Sequence, residues 1–496
     1  MTSDAYASSL QQRSAGVLLH ITSLPGRGVI GDLGPEAFSF IDFIQASGFT
    51  VWQMLPIGPT QADGSPYQSS SMHAGNPRLI AVEPLVEAGW LNPSLLEQPE
   101  LSGQAKQHAL ELAWAGFEAN ADEAQRAAYT QFVEDQNCWL EDYALYRALH
   151  EAFDFACWWD WPAELRDRQP EALEKGRQQY AKRIDYTRFE QYAFFSQWFA
   201  VKAHANEKGI KLFGDMPIFI AHDSAEVWAH RDMFLLDETG HPTVVAGVPP
   251  DYFSETGQRW GNPLYNWDSM SRDGYAFWIS RMKTQLQLFD DVRIDHFRGF
   301  EAYWEIPAHE EYAINGQWVK APGDELFEKL HEIYDPLPLV AEDLGIITPE
   351  VDALRKKFGL PGMKILQFAF SGDADNPYLP FRHETNSVVY TGTHDNDTTL
   401  GWYNSLDAEM RQYVDEFLGF SWEAMPWPMI RAALTSRSNL AVIPMQDLLS
   451  LGERHRMNLP GTTEGNWEWR FDWTMVEEDL ASRLHKMMSM YSRLDG

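Results

Sequence analysis

The sequence predicts an α/β fold, a (β/α)8 barrel, from three observations. Eight short apolar segments recur along the chain, helical patterns lie between most of them, and the first 56 residues have the pattern strand, helix, strand. A strand–helix–strand unit predicts a parallel sheet. Eight parallel strands with intervening helices are typical of a closed barrel, whose active site lies at the carboxyl ends of the strands. We therefore expect one catalytic domain over residues 1–496.

The predicted elements begin with a strand, a helix and a second strand. The helix is predicted from about Pro35, because proline suits a first helical turn, and Gly48 lies behind the helix end. Phe40, Ile41 and Ile44 give this helix an apolar stripe. The predicted strands, in chain order, are 16–21, 50–56, 211–220, 292–297, 339–345, 363–368, 387–391 and 439–446.

Two connections are longer than one crossover helix requires. Much of the segment between the second and third strands has a helical pattern, and we predict a mainly helical insertion subdomain over 68–186. The connection 221–291 is the second insertion. It contains a proline-, glycine- and aromatic-rich stretch at 247–263, which we predict to be an active-site loop.

Composition excludes several classes of partner. The formal net charge is −33, so the surface repels nucleic-acid phosphates and anionic lipid heads, and neither partner is expected. The substrate should be neutral or cationic. Residues 1–12 are polar without an apolar signal core, and no apolar run reaches spanning length, which makes the cytoplasm the expected location. The 20 tryptophans suit stacking on sugar rings, although most aromatic side chains fill cores. The oligomeric state is left open.

Neither a cofactor nor a metal ion is expected. A Gly-x-Gly-x-x-Gly pattern occurs at 26–31, but Pro25 and the later Gly34–Pro35 pair interrupt the strand–turn–helix geometry of a dinucleotide site. No metal-ligand spacing surrounds Cys138 or Cys157, and two thiols in a chain of this length do not predict a disulfide framework.

Carboxylates end four of the predicted strands. Asp215, Asp295, Glu342 and the pair His394–Asp395 each follow an apolar run. In a barrel these ends converge on one opening, whatever their separation in sequence. Each could instead cap the following helix, since Asp is a favoured N-cap residue, although Glu is a poor one. Within its strand, Arg293 shares a face with Asp295, and a structural ion pair is the alternative to a functional one.

The cluster suits acid–base chemistry or a divalent metal. Metal hydrolases usually bring several histidines to the ion, and the zinc-peptidase pattern is absent from this sequence. Paired carboxylates beside aromatic residues favour glycoside chemistry instead.

The motifs around these residues resemble one family. Arg293-x-Asp295, Glu342 and His394–Asp395 are similar to the signature of the α-amylase superfamily. The flanking segments resemble those of 4-α-glucanotransferases, also called amylomaltases or disproportionating enzymes; they are 65–68, 215–218, 247–251, 292–299, 341–345, 392–398 and 465–467. The resemblance runs from about residue 16 to residue 471, and no catalytic position departs from it. It implies a barrel without the carboxyl-terminal all-β domain of many amylases.

The resemblance also implies roles for residues. Asp295 would be the nucleophile, Arg293 would hold it ionised, and Glu342 would be the general acid and then the base. Asp395 with His394 would hold the sugar at the reacting carbon and favour a distorted ring. The other residues expected to bind substrate are Tyr67, which would stack beneath that sugar, Asp215, Asp251, Trp260, Ser65 and Asn466.

Three functions remain open from the sequence. The first is retaining transfer of α-1,4-glucan segments from maltooligosaccharides to the 4-hydroxyl of another glucan or of glucose. Transfer prevails over hydrolysis if the site excludes water and positions the acceptor, and 247–263 with Asp251 and Trp260 is the candidate for that cover. The second is a retaining α-glucan hydrolase. The third is a non-catalytic glucan-binding protein, against which the complete set Asp295, Glu342 and Asp395 argues.

Overall fold

The protein is described from a computed structural model covering residues 10–98, 100–250 and 254–494. Its strands are β1 Ser14–Leu18, β2 Val51–Gln53, β3 Lys211–Pro217, β4 Val244–Val248, β5 Gln258–Pro263, β6 Asp291–Asp295, β7 Ala302–Pro307, β8 Gln317–Lys320, β9 Leu339–Ala341, β10 Gly362–Ile365, β11 Ser387–Tyr390 and β12 Leu440–Pro444.

The helices follow the strands in most of the connections. They are α1 Pro35–Ala46, α2 Glu83–Glu87, α3 Gly103–Asn120, α4 Glu123–Asp135, α5 Asn137–Ala152, α6 Ala163–Arg166, α7 Pro170–Gln179, α8 Ala181–Glu207, α9 Ala225–Ala229, α10 Trp267–Arg272, α11 Ala276–Leu288, α12 Gly323–His331, α13 Pro349–Lys357, α14 Thr399–Ser405, α15 Ala408–Phe417, α16 Trp427–Thr435, α17 Met445–Leu448 and α18 Leu480–Met490.

Eight parallel strands form the barrel, in the order β10, β11, β12, β1, β2, β3, β6, β9. The two end strands meet, because the Ala341 N–H donates to the Pro361 carbonyl at 2.8 Å. All eight predicted strands are present in the barrel, so the predicted (β/α)8 fold is confirmed. We call the carboxyl ends of these strands the mouth and their amino ends the floor.

The barrel interior is filled by alternate side chains of its strands. They include Leu18, Val51, Phe213, Val340, Met363, Val388, Tyr390 and Val442, all buried. The other faces of the same strands pack against the surrounding helices in one continuous apolar core. Strands that are buried on both faces have nearly continuous apolar sequences, which is why the apolar runs predicted them.

The long connection between β2 and β3 contains α2 to α8. Two buried glutamines of α8 bond extended segments of the chain. Gln191 accepts from the Gly75 N–H at 2.8 Å and donates to its carbonyl at 2.9 Å, and Gln197 bonds Ala81 in the same way at 2.7 and 2.9 Å. Both segments therefore have their buried backbone groups satisfied without a sheet.

A small antiparallel sheet, in the order β5, β4, β7, β8, lies beyond β3 and β6. The sequence did not predict it, because its strands are short and partly exposed. The ends of the stretch 247–263 belong to β4 and β5, and residues 251–253 lie outside the described residues. Subdomain status for 68–186 and an active-site loop at 247–263 stay predictions.

Candidate active site

The mouth of the barrel contains a buried ion-pair cluster formed by β3 and β6. The two strands pair so that Asp215 is opposite Arg293. Arg293 Nη1 donates to both carboxylate oxygens of Asp215, at 2.8 and 2.7 Å, and Nη2 donates to Asp295 Oδ1 at 2.7 Å. The side chain of Arg293 is 6% exposed, that of Asp215 1% and that of Asp295 33%. Of the two carboxylates, Asp295 is therefore the more accessible to a substrate.

Charge balance in this cluster keeps the guanidinium protonated. Burial lowers the pKa of Arg293, but the charges of Asp215 and Asp295 outweigh it and raise that pKa. Burial raises the pKa of the Asp215 carboxyl, and the bonds from Arg293 oppose this effect. One guanidinium thus bonds two carboxyl groups, so the cluster is not a simple one-to-one ion pair.

Glu342 directly follows β9 and lies beside the end of β6. Its Oε2 accepts from the His296 backbone N–H at 2.7 Å, and its Oε1 accepts from the Leu344 N–H at 3.1 Å. His296 is the residue after Asp295 and has a left-handed backbone with φ of 55°, a conformation that costs energy for a residue with a Cβ. The turn directs the N–H of His296 at the Glu342 carboxyl.

Burial first, and then the nearby charge of Asp295, raise the pKa of Glu342 to about 7. A carboxyl group with this pKa carries a proton in a large fraction of molecules near neutral pH. Glu342 can therefore donate a proton, and its conjugate base can accept one.

Tyr67 and His394 link the cluster to the strand β11 side of the mouth. The Tyr67 hydroxyl lies 2.8 Å from Asp215 Oδ2 and 2.8 Å from His394 Nε2, and the two rings stack with centroids 5.3 Å apart. The Tyr67 hydroxyl has one proton, which it donates to Asp215. It must therefore accept from His394, so we assign a proton to Nε2 of His394.

Asp395 lies at the exposed edge of this group, 3.3 Å from His394 Nε2. Burial opposes ionisation of Asp395, but the His394 charge and a 2.6 Å bond from Asn458 lower its pKa well below the usual range. Burial lowers the pKa of His394, while Asp395 raises it, and the net direction is upward. The His394–Asp395 pair thus favours the ionised form of Asp395 at the mouth of the barrel.

The other predicted substrate-binding residues lie further out. Trp260 on β5 packs edge-on against His296 with centroids 4.8 Å apart. Ser65 Oγ accepts from the Tyr67 N–H at 3.3 Å, so it shapes the turn before that residue. Asn466 bonds Leu459 and Thr462 within one loop, and Asp251 lies outside the described residues. Their roles toward substrate stay predictions.

Several residues of the site had no signal in the sequence. Asn458 Nδ2 donates to Asp395 Oδ1 at 2.6 Å, and Arg456 Nη2 donates to the backbone carbonyl of Asp395 at 3.1 Å. Trp467 lies 6.0 Å from Tyr67 and 6.1 Å from His394 between ring centroids. These residues follow the last strand of the barrel, so a search of strand ends does not find them. Only Trp467 belongs to a segment that carried the family resemblance.

Within the described ranges, no group of three or more His, Cys, Asp or Glu side chains could hold a metal ion. Of the helices in that part of the chain, none is long and apolar enough to cross a membrane.

Comparisons with known proteins place the chain among enzymes of one kind. The family model described as 4-alpha-glucanotransferase matches residues 19–475. The 4-alpha-glucanotransferase of Thermus thermophilus is 49% identical over 97% of this chain and 99% of that protein. The chloroplastic/amyloplastic 4-alpha-glucanotransferase of Arabidopsis thaliana is 42% identical over 97% of this chain and 86% of that protein. The amylomaltase from Streptococcus agalactiae in complex with acarbose superposes with a TM-score of 0.94 and 36% identity, covering 98% of this chain and 100% of that chain.

Proposed function

The chain belongs to the 4-alpha-glucanotransferase family, glycoside hydrolase family 77, and transfers α-1,4-glucan segments between glucans; we propose that Asp295 and Glu342 carry out this transfer by a retaining double displacement. The observation that carries the proposal is the bond from the backbone N–H of His296, the residue after Asp295, to the Glu342 carboxyl. The bond connects the residue after Asp295 to the Glu342 carboxyl, which supports a common action of Asp295 and Glu342 on one glycosidic bond.

The first displacement forms a covalent glycosyl–Asp295 intermediate. Asp295 Oδ1 accepts from Arg293 Nη2, which leaves Oδ2 free of that ion pair to attack the anomeric carbon. The C1–O bond to the leaving glucan breaks as the Asp295 ester bond forms. Glu342 gives its proton to the departing oxygen, and its raised pKa supports this acid role.

The second displacement reverses these roles. The ionised Glu342 takes the proton from the 4-hydroxyl of the acceptor glucan, whose oxygen attacks the same carbon and releases Asp295. Two inversions at one carbon give net retention of the α configuration.

The donor sugar is held by the groups around Arg293. Asp215 and Arg293 would contact its hydroxyls, Tyr67 would stack beneath it, and the ionised Asp395 with His394 would bind the hydroxyls next to the reacting carbon. The low pKa of Asp395 supports this last role, because a carboxylate gains hydrogen-bond strength as positive charge develops on the ring.

The acceptor side decides between transfer and hydrolysis. We propose that Trp260 stacks on the first acceptor sugar and displaces water from the intermediate, and its contact with His296, next to Asp295, supports this role. Asp251 would hydrogen-bond the acceptor, and Ser65 and Asn466 would contact the glucan further along. Positioning of the acceptor hydroxyl raises its effective concentration above that of water.

Maltodextrins and glycogen-type chains are the proposed donors, and glucose is the proposed small acceptor. The net charge of −33 supports a neutral substrate and disfavours nucleic acids and anionic membranes as partners. A cytoplasmic location is proposed, as expected from the sequence, although the Arabidopsis thaliana relative is chloroplastic or amyloplastic.

The test is a product assay on maltotriose with the native chain and Asp295→Asn. Transfer releases glucose and longer chains while the number of reducing ends stays constant. We expect this pattern for the native chain and a kcat loss of about 10⁴-fold or more for D295N, with glucan binding retained. A steady rise in reducing ends would indicate hydrolysis, and full activity of D295N would remove the nucleophile assignment.

A further inference from the structure

Asp447 is a buried carboxyl at the mouth that the proposed chemistry does not use. It lies in the short helix α17, directly after the barrel strand β12, and is 1% exposed. Among the ion pairs of the described ranges, none includes Asp447. Burial of a carboxyl group without a cation beside it is costly unless its oxygens are hydrogen-bonded.

Three donors from one loop satisfy this carboxyl. Its Oδ2 accepts from the Thr391 hydroxyl at 2.6 Å and from the Thr399 hydroxyl at 2.6 Å, and its Oδ1 accepts from the Thr399 N–H at 2.8 Å. Both threonines are fully buried. Thr391 follows β11 and Thr399 begins α14, so one carboxyl group binds both ends of the segment 391–399.

The segment between the two threonines carries His394 and Asp395. Its middle is held by an internal turn, in which Thr393 N–H and hydroxyl both donate to Asn396 Oδ1 at 2.9 Å. Gln367, which follows the neighbouring strand β10, donates to the Asp397 carbonyl at 2.8 Å. These bonds hold the conformation of the segment 391–399, and the bonds to Asp447 fix its position relative to the barrel.

We propose that Asp447 is a positioning residue for glucan transfer, which places His394 and Asp395 against the donor sugar by binding Thr391 and Thr399. The inference rests on the proposed roles of His394 and Asp395. It assigns to Asp447 no contact with substrate. A rigid support of this kind matters because displacements of about 1 Å at a reacting centre lower rates by roughly 10²-fold.

Thr391 allows a sharp test, because valine keeps the shape of threonine and serine keeps its hydroxyl. We expect Thr391→Val to lower kcat of maltotriose transfer about tenfold, with KM for maltotriose within twofold, and Thr391→Ser to retain kcat within twofold. Asp447→Asn, which loses one acceptor oxygen, should lower kcat further. The reverse order, with T391V fully active and T391S impaired, would show that packing rather than the hydroxyl matters and would overturn the proposal.

Ser387→Ala provides the matched control on the same strand. Ser387 is also buried, and its hydroxyl donates to the Glu384 carbonyl at 2.6 Å, but it lies at the floor end of β11. We expect S387A to lower the melting temperature as much as T391V while kcat below the transition is unchanged. A kcat loss in S387A equal to that in T391V would mean that a general loss of stability explains both, and the proposal would fail.

Asp395→Asn separates failure of this inference from failure of the proposed function. An inactive D395N beside fully active T391V and D447N variants would overturn only the role of Asp447. Full activity of D395N would remove the proposed role of Asp395 and, with it, the role of Asp447.

Discussion

Two buried arginines at opposite ends of the barrel show how differently the two ends use the same side chain. Arg293 at the mouth bonds the carboxylates of Asp215 and Asp295. Arg493 near the floor is 0% exposed, and within the described residues its partners are backbone carbonyls, those of Ser14, Ala433, Leu434, Ser438 and Asn439. Neighbouring carboxylates raise the pKa of Arg293, whereas burial, with a smaller effect of Arg13, lowers that of Arg493 to about 9.

The difference separates stability from chemistry. The carbonyls around Arg493 belong to the start of β1, the end of α16 and the residues before β12, so this one side chain connects the chain's last helix region to the barrel floor. Arg293 instead bonds two carboxyl groups at the mouth, and one of them, Asp295, is exposed there. We therefore expect substitutions at the two positions to affect different measurements.

The largest effect is expected for Arg293→Lys. A lysine cannot bond Asp215 and Asp295 at once with the fork of a guanidinium, so the orientation of Asp295 is lost. We expect kcat/KM for maltotriose to fall by about 10²–10³-fold while the unfolding free energy falls by less than about 2 kcal/mol. An activity loss that merely follows the loss of folded protein in a denaturant titration would break the comparison.

The next effect is expected at the floor, for Arg493→Met. The substitution removes one donor from each of five backbone carbonyls, and we expect the unfolding free energy to fall by about 3–5 kcal/mol. Urea titration measures this loss, and kcat at 25 °C should stay within twofold. A substantial kcat loss in the folded R493M variant would show that the floor also controls the site.

The pH dependence of Glu342 gives a smaller effect at the mouth. Its folded-state pKa of about 7 lies above its ordinary value of 4.5, so folding favours the protonated form. The resulting stabilisation is fully present below pH 4.5 and is lost as pH rises through about 7. We expect Glu342→Gln to raise the unfolding free energy at pH 8 by about 1–3 kcal/mol, and by little at pH 4.

The same group predicts the alkaline limb of activity. Since the first displacement needs protonated Glu342, kcat/KM should fall about tenfold per pH unit above pH 7. A profile of native activity from pH 5 to pH 9 measures it, with R493M as the control. If the native loss of activity coincided with the pH at which R493M unfolds, or if the native profile were flat, the assignment to Glu342 would be contradicted.

The smallest effect is expected for Trp260→Ala. Loss of the ring beside His296 should admit water and weaken acceptor stacking, so the ratio of hydrolysis to transfer should rise about three- to tenfold. Reducing ends counted against free glucose during maltotriose turnover measure this ratio. An unchanged ratio would place the acceptor elsewhere.

The barrel and the acidic strand ends could be predicted because both leave local patterns. Strands buried on both faces produce apolar runs, and a charged residue at the end of such a run is conspicuous, as at Asp215, Asp295 and Glu342. Asp447 also follows an apolar run, that of β12, but its bonds to Thr391 and Thr399 depend on which loops meet in space, as does the bond of Asn458 to Asp395. The small antiparallel sheet was missed for a related reason, since partly exposed strands such as β8 lack a continuous apolar run.

The bond from the His296 N–H to Glu342 connects the strand end that carries Asp295 to the strand end that carries Glu342. Strands β6 and β9 are adjacent in the sheet, and this bond joins them just beyond their last paired residues, Ile294 and Ala341. If Asp295 and Glu342 have the proposed roles, we expect sequence changes in the long insertions to alter glucan selection while the distance between these two carboxyl groups is kept. Chain-length preference should then be adjustable through the loops around the mouth, without changes at Asp295 or Glu342.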